Sequence, residues 1–91
     1  MQVEIISPEA ILLQAEVNSV AVPGVNGEFQ MLDNHAPIVS LLQEGKVIID
    51  GNPDIEEDFQ DKFKKENGKT ILEITSGTIE MSDNKVIILV D

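Results

Sequence analysis

The chain reads as all-β, a sandwich or barrel of short, mostly antiparallel strands. Three observations carry this reading. Apolar residues alternate with polar ones in runs of about five to six residues, the period of a half-buried strand. Gly, Asn, Asp and Pro punctuate these runs at close spacing. Twice the phase of the alternation switches inside an otherwise continuous run, at Asn18-Ser19 and at Gly77.

The elements follow in order. Val3 and Ile5 alternate with Gln2 and Glu4, and Pro8-Glu9 turns the chain. Ile11 to Val22 reads as one long strand, with Leu13, Ala15 and Val17 in one phase and Val20 and Val22 in the other. A one-residue slip turns the inner face outward, so this pattern predicts a β-bulge at Asn18-Ser19. Short strands are expected at Glu28 to Leu32, Ile38 to Leu42 and Lys46 to Asp50. From Thr70 the alternation returns: Leu72 and Ile74, then Ile79 and Met81, with Gly77 at the switch as a second bulge. Asp83-Asn84 turns into Val86 to Val90, which is apolar at every position and therefore predicts burial on both faces.

One segment departs from this period. In the polar stretch 51–69, Ile55, Phe59 and Phe63 are spaced four apart, as on a helix. Asn52 can cap, and Pro53 suits a first helical position. Acids (Asp54, Glu56, Glu57, Asp58) lead and lysines (Lys62, Lys64, Lys65) trail, which complements a helix dipole. Asn67-Gly68 supplies a stop. A short amphipathic helix over about 53–66, inserted in a hairpin, is the expectation; a long hairpin with its phenylalanines on the sandwich is the competing one. The chain is expected to form a single domain over residues 1–91, with no internal repeat.

Composition narrows the function classes. The chain has 91 residues, room for one small core. There are 17 acids, 6 lysines and no arginine, a net charge of −11. Residues 51–69 account for −2 of this and the remainder for −9. Such a balance argues against binding nucleic-acid phosphates or anionic lipid. The absence of cysteine removes disulfides and thiolate metal sites. No apolar run approaches the roughly 20 residues of a membrane-spanning helix, and the N-terminal residues lack the basic flank of a signal peptide. A soluble protein retained where it is made is the expectation, without direct membrane insertion.

No catalytic constellation emerges. His35 is the sole histidine and has no cysteine or second histidine as partner. It reads as a turn residue that hydrogen-bonds backbone or touches a partner. Gly24 and Gly27 are not followed by Gly-Lys-Ser/Thr, and Glu28 would repel a phosphate. The acids from Asp54 to Asp61 do not have calcium-loop spacing. No cofactor is implied, and the chain is not expected to be an enzyme in its own right. One alternative is a small carrier domain, lipoyl-like, modified at Lys85, or another ligand-binding β-module. Lys85 leads straight into the last strand, whereas a carrier lysine stands at an exposed turn tip.

Residues 22–37 hold the densest set of special residues. Val22-Pro23-Gly24, Gly27-Glu28-Phe29, His35-Ala36-Pro37-Ile38-Val39 and Gly45 resemble the central region of the F-type ATP synthase epsilon subunit. The opening Val3 to Glu9 and the ending Ser76 to Met81 and Asn84 to Asp91 are similar to that family's first and last strands. The resemblance covers the chain apart from residues 51–69.

This resemblance implies a flattened β-sandwich, the N-terminal domain of a non-catalytic rotor subunit in the central stalk. It implies two partners, the gamma subunit and the polar loops of the c-subunit ring, and a peripheral place at the cytoplasmic face of the bacterial plasma membrane. Carried over by position, the ring-facing residues are Glu28, Phe29, Met31, His35, Ala36 and Pro37. Three departures stand out. Asp33-Asn34 replaces the family's Pro-Gly before the histidine. The segment 51–69 is longer than the usual hairpin link. The C-terminal helical pair common in the family is absent from these 91 residues.

Overall fold

A computed structural model describes residues 1–91. Ten strands form: β1 (Gln2–Ile6), β2 (Ile11–Glu16), β3 (Ser19–Gly24), β4 (Gly27–Leu32), β5 (Ile38–Leu42), β6 (Gly45–Asp50), β7 (Phe63–Glu66), β8 (Lys69–Ile74), β9 (Gly77–Ser82) and β10 (Lys85–Val90). They run in the order β2-β1-β10-β9-β5 on one side and β4-β3-β6-β8-β7 on the other. A single residue pair, Gly24 with Leu42, joins the halves through β3 and β5. The sheet therefore folds over at that point into two layers. The β1–β10 pair is parallel and the other pairings are antiparallel.

Alternation explains the core. One phase of each strand points between the layers: Val3 and Ile5, Val20 and Val22, Met31, Val47 and Ile49, Leu72 and Ile74, Ile79 and Met81, Val86 and Ile88. These side chains form one cluster drawn from both halves. Each fully buried aliphatic side chain contributes roughly 1.5–3 kcal/mol. That repeated gain fixes the register, because a slip of one residue would expose the whole set.

The all-β sandwich is as the sequence predicts, but four details differ. The run 11–22 is two strands, not one bulged strand. β2 ends at Glu16 and β3 begins at Ser19, and they belong to different layers. The phase switch is thus a crossing between layers. A register shift does occur in β2, but earlier: Ile5 faces Leu13 and Ile6 faces Ile11, which leaves Leu12 as the extra residue. Likewise Gly77 opens a new strand after the bend at Thr75-Ser76.

The expected helix over about 53–66 is not formed. Only Glu57–Lys62 coils, as a 3-10 turn without a side-chain cap, and Phe63–Glu66 is strand β7. Asn67 and Gly68 both have positive φ, 52° and 77°, and connect β7 to β8 as a two-residue hairpin turn. Asn-Gly is a strong hairpin former for that reason. The ladder bonds of β7 on β8 win over a helix too short to repay its nucleation cost. The three apolar residues still pack inward: Phe63 is buried, and Ile55 and Phe59 lean on the core. The spacing of four identified the right residues and the wrong backbone.

The last strand is not buried on both faces. Val86, Ile88 and Val90 face the core, while Leu89 is exposed and Ile87 is half-buried.

Candidate functional site

β4 is the edge of its layer and pairs only with β3. Gly24 and Gly27 face each other and close the hairpin around Val25-Asn26. Gly24 must be glycine for a packing reason: a Cβ there would lie 2.7 Å from the Phe29 ring. Gly27 has φ of +120°, open to glycine alone among common residues. Beyond this turn, Glu28, Gln30 and Leu32 point outward and are exposed. Phe29 is half-buried and Met31 is fully buried. Met31 therefore belongs to the core and cannot touch a partner; it supports the strip from inside.

The loop 33–37 leaves the far end of β4. The His35 N–H donates to the Leu32 carbonyl at 3.2 Å, which closes a turn with Asn34 at φ of 62°. Asn is one of the few residues that tolerate this region. The His35 ring contacts the Ala36 carbonyl through Nδ1 at 2.8 Å, so the histidine is engaged with backbone, as its isolation in sequence suggested. Asp33 turns to the Met1 α-ammonium, 2.6 Å from Oδ1. His35, Ala36 and Pro37 are exposed.

Glu28 and His35 are not brought together. Glu28 to Leu32 alone spans roughly 13 Å at about 3.3 Å per residue, and His35 lies beyond. The predicted residues make a strip along one edge of the sandwich: Glu28 at one end, Gln30 and Leu32 between, and His35-Ala36-Pro37 at the other. Such a strip can make polar contacts over a length, but it holds no cluster of acid, base and nucleophile. No group of three His, Asp or Glu side chains is placed to hold a metal ion.

A second surface was not anticipated. On the layer β2-β1-β10-β9-β5 the outward phase carries polar residues such as Glu4, Gln14 and Glu80, but one row across it is apolar. Val39 is 77% exposed and Leu41 61%. The registers place Leu41 opposite Thr78, Thr78 opposite Leu89, Leu89 opposite Ile6, and Ile6 opposite Ile11. An apolar row thus crosses five strands, interrupted only by a threonine. Val25 joins it from the β3–β4 turn, where its N–H donates to the Leu41 carbonyl. Contiguous exposed apolar surface of this kind marks contact with another macromolecule. The signal was legible in β5 and β10, whose outward positions are Val39, Leu41, Ile87 and Leu89. It was absorbed into the expectation that β10 is buried on both sides.

Lys85 sits on the same face at the start of β10, its Nζ 2.7 Å from Glu4 Oε1. It is a paired residue of the sheet face, not the free tip of a hairpin, which removes the geometric basis for a carrier lysine.

Comparison with known proteins supplies the family. The description "ATP synthase, Delta/Epsilon chain, beta-sandwich domain" matches residues 1–91. This chain belongs to that family. Among its delta/epsilon relatives, the ATP synthase epsilon chain of Chlorobaculum tepidum is 35% identical over 88 residues, covering 97% of this chain and 85% of its own length. That of Leptospira borgpetersenii is 41% identical over 91 residues, and here the chain spans 61% of the relative's length. For the Campylobacter concisus epsilon chain, 34% identical, the share is 60%. The delta/epsilon fold recurs in solved structures. A chain from the central stalk and c-ring of the Tetrahymena thermophila mitochondrial ATP synthase matches with a TM-score of 0.73 at 15% identity, over 99% of this chain and 62% of that one. A chain of the Euglena gracilis mitochondrial ATP synthase matches at 0.74 and 19%, over 97% and 48%. The resemblance to the epsilon subunit is thus borne out, and the family match also runs through residues 51–69, which the sequence reading leaves outside it.

Proposed function

We propose that this chain works in the central stalk of a proton-translocating F-type ATP synthase, as a rotor component that couples rotation of the c-ring to ATP synthesis through gamma. The observation that carries the reading is the pairing of two separate surfaces on one rigid sandwich. The apolar row through Leu41, Leu89, Ile6 and Ile11 suits a lasting hydrophobic interface. The exposed strip from Glu28 to Pro37, with Glu28, Gln30, Asn34 and His35 among its exposed groups, suits a second, more hydrophilic partner. A subunit between gamma and the c-ring needs both.

In this reading gamma covers the apolar face and the c-subunit polar loops meet the strip. Glu28 supplies a carboxylate at its start, where complementary charge sets register more than affinity. The protein's net charge of −11 favours partners that are basic or neutral where they touch. Catalysis belongs to other subunits; this chain transmits torque through a core that deforms little. No helix in it is long and apolar enough to cross a membrane. In this reading its place at the cytoplasmic face of the membrane comes through its partners.

Co-purification with gamma from an intact complex is the deciding experiment. Retention of the chain with gamma, and a crosslink from Glu28→Cys to a c-subunit loop, are the expected results. An otherwise complete complex that lacks the chain would overturn the reading.

A further inference from the structure

The geometry points to Asn84 as a positioning residue for the contact loop 33–37, acting from outside that loop. Asp83 and Asn84 form the two-residue turn between β9 and β10, with φ of 50° and 59°. This is the doubly left-handed turn that suits a tight hairpin. Asp and Asn fit it, so the turn alone does not explain the side chain. The amide of Asn84 reaches across 50 residues of sequence and its Oδ1 accepts the Asn34 N–H at 2.8 Å. A backbone N–H can only donate, so the carbonyl end of the amide must face it.

Asn34 is where the contact loop needs help. It holds φ of 62° without being glycine, and its side chain is exposed. The turn at 32–35 is closed by one bond of 3.2 Å from the His35 N–H. Only two side-chain tethers tie this turn to the body. Asp33 binds the Met1 α-ammonium, and Asn34 is held by Asn84. The same Asn84 also accepts the Gln2 N–H through its backbone carbonyl at 3.1 Å. Asn84 therefore sits at a junction: its backbone docks the start of β1, and its side chain docks the turn that presents His35-Ala36-Pro37. What the loop then touches rests on the proposed c-ring contact; the tether itself does not.

Asn84→Gly is the discriminating variant. It keeps the left-handed turn and the backbone carbonyl while deleting only the acceptor that holds Asn34. Amide hydrogen exchange, followed residue by residue, should show Asn34 exchanging about fivefold faster in Asn84→Gly, the scale of one ordinary hydrogen bond. Gln2 should be unchanged, since its acceptor is retained, and Asn84→Asp should restore protection at Asn34. Capture by purified c-ring should weaken in Asn84→Gly and recover in Asn84→Asp. Unaltered Asn34 exchange in Asn84→Gly overturns the tether. Faster exchange with undiminished capture overturns the positioning role. Failure of the wild-type chain to bind the c-ring at all overturns the reading of the partner, and the loop's role with it, whatever the exchange result.

Discussion

At the residue scale the Met1 amine has the most consequential environment. Its nitrogen donates to the Val17 carbonyl at 3.0 Å and to Asp33 Oδ1 at 2.6 Å, with Glu16 Oε2 at 3.3 Å. The hydrogen bond it donates to Asp33 raises its pKa above the ordinary 8.0; burial opposes this, and Glu16 adds to it. A group whose folded pKa lies above its unfolded one stabilises fully below the unfolded value. That stabilisation is lost as pH rises through the folded value. The amine's contribution is therefore present at neutral pH and disappears above pH 8.0. Asp33→Ala should lower the melting temperature at pH 7, and the gap to wild type should narrow as the pH is raised above 8.0 and the amine loses its proton. Thermal unfolding of the two proteins across this pH range checks this. A gap that widens with pH would contradict the assignment. The Asp33–Met1 ion pair thus ties the turn before His35 to the start of the chain.

At the scale of elements, the close approach of β9 and β10 is the tightest constraint. A Cβ on Gly77 would lie 2.3 Å from the Leu89 carbonyl oxygen, a backbone atom in the ladder that cannot swing away. Gly77→Ala should destabilise by roughly 3 kcal/mol, at the upper end of overpacking costs, measured by denaturant unfolding. Gly27, where a Cβ would meet nothing, should respond to Ala only through its φ. Such contrasts explain what could be read from sequence. Alternation in Val3-Ile5, Val20-Val22, Leu72-Ile74 and Ile79-Met81 named the core, because period two and burial are the same fact in a strand. Layer membership was not legible: the break at Val17-Asn18 and the bend at Thr75-Ser76 look like bulges until the pairing partners are known. Residues 53–66 misled for a different reason. Ile55, Phe59 and Phe63 do pack inward, and periodicity cannot distinguish a helix from an extended segment and a 3-10 turn that deliver the same three side chains.

On the scale of the whole molecule, the two outer surfaces separate what sequence could and could not reveal about function. The edge strip was found through a family likeness, and the structure then spread its members along β4 and the loop after it, moving Met31 into the core. The apolar face was missed because an outward Val or Leu in a strand has the same sequence signature whether its own chain or another covers it. In this chain nothing covers Val39 and Leu41, and the register aligns Leu41 with the row through Leu89, Ile6 and Ile11. That geometry makes a sharp prediction. Val39→Lys with Leu41→Lys should change unfolding free energy by no more than about 0.5 kcal/mol, since both side chains are already in water and Val39 stands opposite Glu80, a compatible charge. Capture of gamma should nevertheless fall at least about tenfold, because two charges would be desolvated against an apolar partner. Glu28→Ala should leave gamma capture intact and alter only the salt dependence of the proposed c-ring contact. Equal loss of gamma capture in Glu28→Ala and in the double variant would show the two surfaces to be one. The sandwich would then no longer account for a subunit that holds two different partners at once.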